Sequence, residues 1–196
     1  MSRKPKNAEY RASRKRVYAG GVACLILLLE ASISLRAASF VQSEFYADPS
    51  ERITRPLPVP ESVLQILAGE DVVTACMKDT PILRGRPLAA WFVASEIHLN
   101  DSSEPDMIVL PSSQAPFLCF HSAEGIGRFW AFRRTNGGYD LALTTSGLSL
   151  SVLDTKHNGH RDIRSGGQVG KFGTTTIFRF ESGRYREYRK KTTEVP

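Results

Sequence analysis

Phe129-Trp-Ala-Phe-Arg-Arg-Thr-Asn-Gly-Gly-Tyr-Asp-Leu-Ala-Leu-Thr-Thr145 holds two apolar-rich runs separated by Asn136-Gly137-Gly138. A pleated strand turns successive side chains to opposite faces, and asparagine and glycine supply the positive backbone angles that tight hairpins need. The stretch therefore reads as an antiparallel hairpin with strands at 129–134 and 139–145. Further strands follow at Leu148–Leu153, Thr174–Phe180 and Arg184–Tyr188, with turns at Ser146-Gly147 and Ser182-Gly183. The Gly166–Gly173 segment reads as a mobile loop. On the N-terminal side, Trp91–Leu99 alternates and Met107-Ile-Val-Leu110 is a short buried run. Seven short strands joined mainly by hairpins imply an antiparallel sheet or a partly closed barrel.

Ahead of the strands, Val63, Ile66, Leu67, Val73 and Met77 recur at mostly helical spacing. One amphipathic helix is expected from Pro60 to about Lys78, bent at Gly69, ended by Thr80-Pro81 and covering one face of the sheet. The fold class is α+β. Residues 40–60 contain Asp48-Pro49 and Arg55-Pro-Leu-Pro-Val-Pro60, which reads as an extended linker. The expected organisation is a targeting segment at 1–39, the linker at 40–60, a folded domain at 61–188 and a flexible basic tail at 189–196.

The formal charge of +6 suggests a nucleic-acid partner only until its location is examined. Residues 1–20 carry seven basic groups against Glu9, whereas residues 40–196 carry 18 basic and 18 acidic groups. A duplex-binding domain needs its basic excess on the folded part, so no nucleic-acid partner is expected. The basic start precedes an uncharged run, Val17–Leu29, then Glu30, and small residues at Ala37 and Ser39. Two readings fit: a secretory signal cleaved near Phe40, or a membrane anchor through residues 17–35. Either sends the C-terminus out of the cytoplasm, to the periplasm, the cell surface or the medium. With Cys24 inside that segment, the exported part keeps Cys76 and Cys119. A disulfide between them is expected, with two buried free thiols as the alternative. In the chain-entropy model a loop of about 44 residues contributes about 4 kcal/mol.

Charge is also divided within the exported part. Residues 40–110 have 5 basic and 11 acidic groups, and residues 156–196 have 10 basic and 4 acidic. The two segments either complement each other within the fold or leave a patch for an acidic partner, with Arg184, Arg186, Arg189, Lys190 and Lys191 as its candidates.

His98-Leu-Asn-Asp-Ser-Ser-Glu-Pro-Asp-Met-Ile-Val109 resembles the Asp-x-Asn-x-Asp-Gly-x-x-Asp calcium loop of FG-GAP repeats. That resemblance implies calcium held by Asn100, Ser102 and Asp106, although His98 replaces the first ligand and Ser103 the glycine. The alternative is an Asx-type turn between strands. Asp154, Asn158, Gly159 and Asp162 repeat the skeleton, with Lys156 where a ligand should stand. His157 and His160 lack the further ligands of a zinc site. No nucleophile elbow, Walker loop or dinucleotide fingerprint is present, and no cofactor is expected. An envelope hydrolase would need Asp106, Asp162 or His160 gathered in one cleft.

The motifs Phe129-Trp-Ala-Phe-Arg, Gly138-Tyr-Asp-Leu-Ala-Leu143, Asn158-Gly-His-Arg-Asp-Ile163, Ile177-Phe-Arg-Phe180 and Gly183-Arg-Tyr185 are similar to those of a family of small exported bacterial proteins. Its shared pattern is aromatic-x-Phe-Arg, Gly-Tyr-x-Leu-x-Leu, Asn-Gly-Tyr-Arg-Asp-Ile and a terminal Tyr-Arg-Phe. The similarity covers roughly residues 60–188, Cys76 and Cys119 fall where that family places cysteines, and His160 stands in place of its tyrosine. It implies export and the α+β fold, and no catalytic residue. The function expected is a non-enzymatic module that binds an envelope protein or polymer.

Overall fold

Met107, Ile108, Val109 and Leu110 are all 5% exposed or less, so the strand that contains them is covered on both faces. Ile108 and Leu110 enter one buried cluster, and Met107 and Val109 enter the other. Such a strand needs a layer on each side, and the chain supplies both. The structure is a computed structural model that describes residues 42–47, 53–80 and 86–195. The signal or anchor reading of residues 1–39 lies outside them. Among the described residues no helix is long and apolar enough to cross a membrane.

Nine strands are described: β1 (Glu44–Tyr46), β2 (Phe92–Ile97), β3 (Asp106–Pro111), β4 (Gly127–Thr135), β5 (Gly138–Gly147), β6 (Ser149–His157), β7 (His160–Val169), β8 (Phe172–Glu181) and β9 (Arg184–Glu194). They form two antiparallel sheets, β2-β3-β4-β5 and β1-β6-β7-β8-β9, rather than a barrel. The chain changes sheets at Gly147, which ends the β4–β5 ladder opposite Gly127. At Ser149 the next ladder begins opposite Gly166. A Cβ on Gly147 would lie 2.5 Å from Ser165 Oγ and 2.6 Å from the Gly166 carbonyl, so only glycine lets the sheets meet here.

The expected single helix is two. α1 (Glu61–Ala68) ends at Gly69, Glu70 is extended (φ −70°, ψ 133°), and α2 (Asp71–Asp79) restarts from the Glu70 carbonyl. The break has a use. Glu70 accepts hydrogen bonds from Trp130 Nε1 (3.2 Å) and Thr144 Oγ1 (2.9 Å), which face each other across β4 and β5. Val63, Leu64 and Leu67 of α1 and Val73 and Cys76 of α2 join the outer cluster with Phe92, Phe120 and Trp130. The rings of Phe92 and Phe120 meet Trp130 edge-on, at 5.4 and 6.0 Å.

Three segments are more ordered than their composition implies. Residues 44–46 pair with β6, and Leu57 bridges Ala94, so the proline-rich stretch is stitched to both sheets. Residues 166–169 and 172–173 are paired strand, and residues 189–194 are the second half of β9, paired with β8. Polar strands lack the apolar alternation that would mark them in the sequence.

Cys76 of α2 is bonded to Cys119 of the short helix α3 (Phe117–Phe120), with Cα atoms 5.5 Å apart. The bridge closes the helical layer over the four-stranded sheet. Peptide mapping without reductant should recover the two cysteines joined, and Cys76→Ser should lower unfolding free energy by roughly 2–5 kcal/mol. Gly147→Ala should cost about 1–3 kcal/mol in a denaturant titration, because backbone as well as side chain must move. Gly137→Ala, with no neighbour within 4 Å of its added methyl, should stay within about 0.5 kcal/mol of the parent.

Candidate functional site

The three oxygen-bearing residues of the calcium-like loop are each engaged with backbone. Asn100 Oδ1 accepts from Ser102 N at 2.7 Å, and Ser102 Oγ accepts from Glu104 N at 3.1 Å, which makes consecutive Asx- and Ser-type turns. Asp106 is 1% exposed, and its two oxygens accept from Leu99 N and Arg134 N, each at 2.8 Å. It thereby ties the loop to β4. Lys156 reaches in from β6 to pair with Asp101, whose carboxyl is held below its ordinary value by that hydrogen bond and charge. The second loop is a tight turn: Asn158 (φ 51°) and Gly159 (φ 76°) both take positive angles between β6 and β7. Asn158 Nδ2 donates to the Phe180 carbonyl, and Asp154 pairs with Arg161. Among the described residues no group of three or more His, Cys, Asp and Glu stands close enough to hold a metal ion.

The three hydrolase candidates have separate partners. Asp106 carries its two amides. His160 stacks on Phe180 at 3.7 Å, with Nδ1 3.0 Å from the Asn158 carbonyl. Asp162, 3% exposed, pairs with His157 Nδ1 at 2.8 Å, accepts from Thr155 Oγ1 at 2.9 Å and lies 3.7 Å from Arg179 Nε. The imidazole that Asp162 orients is thus His157 rather than His160, a pairing that the hairpin register sets and that sequence spacing does not show. Tyr185 is buried nearby and donates its hydroxyl to the Arg161 carbonyl at 2.8 Å. Burial first, then the charges of Asp106 and Asp162, push its phenol well above the ordinary value.

The basic residues of β9 are sorted by a bulge. Phe178 and Phe180 point into the core between the sheets, so Ile177 and Arg179 lie on the opposite, outer face. Arg186 stands opposite Arg179, and Arg189 opposite Ile177. The extra residue, Tyr188, falls in the register shift between them. Lys191 then pairs with Thr175 on the outer face and Lys190 with Thr176 on the inner one. Without the bulge, Lys190 would share a face with Arg186. Of the binding candidates, Arg184 stands opposite Glu181 at the β8–β9 turn, and Arg186 and Arg189 share the outer face, whereas Lys190 does not. Sequence reasoning had no signal for the other members of this face: Arg164, opposite Ile177 on β7, and Arg179 itself. Tyr188 is their centre, with the Arg179 guanidinium 3.3 Å above its ring, Arg189 at 5.8 Å and the His157 ring at 6.4 Å. Asp162 balances Arg179, and Glu44 lies 3.9 Å from Arg164. Arg184, Arg186, Arg189, Lys190 and Lys191 make no ion pair among the described residues.

A phenol that resists ionisation in the folded state adds stability that is complete below its unfolded value, about pH 10, and that fades as pH rises beyond it. Tyr185→Phe should therefore cost about 1 kcal/mol at neutral pH through its lost hydrogen bond. Its deficit against the parent should narrow in denaturation curves taken above about pH 10. No protein-family model matches the chain, and no curated protein is found to be similar to it.

Proposed function

We propose that the chain is an exported, non-enzymatic binding module that presents the outer face of its five-stranded sheet to an acidic protein or polymer of the cell envelope. One observation carries the reading: Arg186, Arg189 and Lys191 share a face, are exposed, and have no ion-pair partner among the described residues. Cations with no internal task are available to an external anion, and arginine forks suit carboxylate and phosphate oxygens. Export is supported by the basic and apolar start of the chain and by a disulfide, which persists in an oxidising compartment.

A second reading, an envelope hydrolase, has one observation in its favour. Asp162 is buried and holds His157 by Nδ1, the arrangement in which an imidazole serves as a base. Asp106 does not join it, since both its oxygens hold backbone amides. Loss of a hydrolytic activity of the purified protein in His157→Gln, with folding intact, would establish this second reading.

A reporter fused after Pro196 should be active only when it requires an extracytoplasmic location; cytoplasmic activity would overturn export. Affinity capture from envelope extract should retain an anionic species that elutes with salt. Arg186→Gln/Arg189→Gln should lose it while keeping the parental melting temperature.

A further inference from the structure

We propose that the ligand of this face is an acidic polysaccharide, laid across the strands from β1 to β9, an assignment that rests on the binding reading above. The outer face is a strip of short side chains between two aromatic rims. The row Tyr46, Ser149, Gly166, Thr175, Lys191 and its neighbour Glu44, Ser151, Arg164, Ile177, Arg189 run straight across the five strands. Ser149, Gly166 and Thr175 leave the first row low, whereas in the second Arg164 lies over the buried Ser151 and donates to its hydroxyl at 3.1 Å. Tyr46 and Tyr188, 42% and 48% exposed, stand on the first and last strands. Four gaps between five strands span roughly 19 Å, the length of a short oligosaccharide.

An exposed tyrosine offers an apolar ring with a hydroxyl at its edge. A sugar ring has the matching character, apolar on its faces and hydroxylated at its rim. The unpaired cations of β9 then fit carboxylates borne along the chain, and the hydroxyls of Ser149 and Thr175 can bond its hydroxyl groups. An acidic peptide added as a sixth strand fits less well. The β9 edge is interrupted by the bulge at Tyr188 and carries Arg184, Arg186, Arg189, Lys190 and Lys191, two devices that discourage strand addition.

The test is the binding of polygalacturonate to full-length protein purified from the envelope, with dextran, poly-glutamate and single-stranded DNA as comparisons. Polygalacturonate should bind, more weakly as salt rises, and dextran should not. Lys191→Gln and Arg189→Gln should each weaken binding about three- to fivefold, and Lys190→Gln, one residue away on the other face, should leave it unchanged. Equal losses in Lys190→Gln and Lys191→Gln would overturn the face. Poly-glutamate or DNA bound in preference to polygalacturonate would overturn the polysaccharide and leave the acidic-ligand reading standing. Failure of every polyanion would remove both. All three variants alter exposed side chains, so an unchanged melting temperature separates lost binding from lost folding.

Discussion

A strand buried on both faces obliges the rest of the molecule to be built in three layers. Each apolar side chain moved out of water on β3 contributes roughly 1.5–3 kcal/mol, but only if both coverings are present. The helical layer is thin among the described residues, two short helices and the single turns Leu88–Trp91 and Phe117–Phe120, and cannot shield Met107 and Val109 unless it is held in place. The Cys76–Cys119 bond and the Glu70 carboxylate hold it, one covalently and one by bonding a tryptophan and a threonine on adjacent strands. The second covering is the five-stranded sheet, which reaches its position because the chain passes through Gly147 without turning back. Asp106, at the head of β3, gives its two oxygens to the amides of Leu99 and Arg134 and so fixes the strand where the loop and β4 meet it. What resembles a metal loop is thereby a structural fastening.

The elements legible in the sequence are those whose environment imposes a period. The 129–145 hairpin, the 107–110 run and the pairing of Cys76 with Cys119 follow from alternation, from burial and from an even cysteine count. β7 was not legible. His160-Arg-Asp-Ile-Arg-Ser-Gly-Gly-Gln-Val169 has one apolar residue that reaches the core, Ile163, because the sheet has only one covered face and the strand runs beyond it. β1 contributes a single core residue, Phe45, from a three-residue strand among prolines. The helix break was half legible. Gly69 marked the place, but the reason for it is a contact with Trp130 and Thr144, sixty residues or more away in sequence.

The candidate site shows the same division. The basic composition of β9 is plain in the sequence, whereas the face each residue occupies depends on register, and a single extra residue reverses it. Arg184, Arg186, Arg189 and Lys190 read as one patch only if exposure is the sole criterion. The ladder separates Lys190 from the others and brings in Arg164 from β7 and Arg179 from β8, each a single charge between uncharged neighbours in sequence. Bulges that re-aim side chains recur beside functional sites, and this one sets Tyr188 and Arg189 side by side on the outer face.

The domain from residue 40 onward has no net charge, yet its charges are not mutually neutralised. Of the ion pairs among the described residues, only Lys156–Asp101 and Arg164–Glu44 join the basic C-terminal segment to the acidic N-terminal one. Arg134–Glu104 joins β4 to the loop before β3, and the others are formed within a segment or between neighbours on one hairpin. Glu61, Asp71 and Asp79 belong to the two helices, which pack on the four-stranded sheet, and Glu70 to the break between them, while the unpaired cations line the last strand of the other sheet. In the binding reading proposed above, charge divided in this way favours the approach of a polyanion to the β9 face. Screening at physiological salt confines the field to about 8 Å, so a flat surface that admits the ligand closely is needed to use it. The low strip of serine, glycine and threonine beside those cations meets that need.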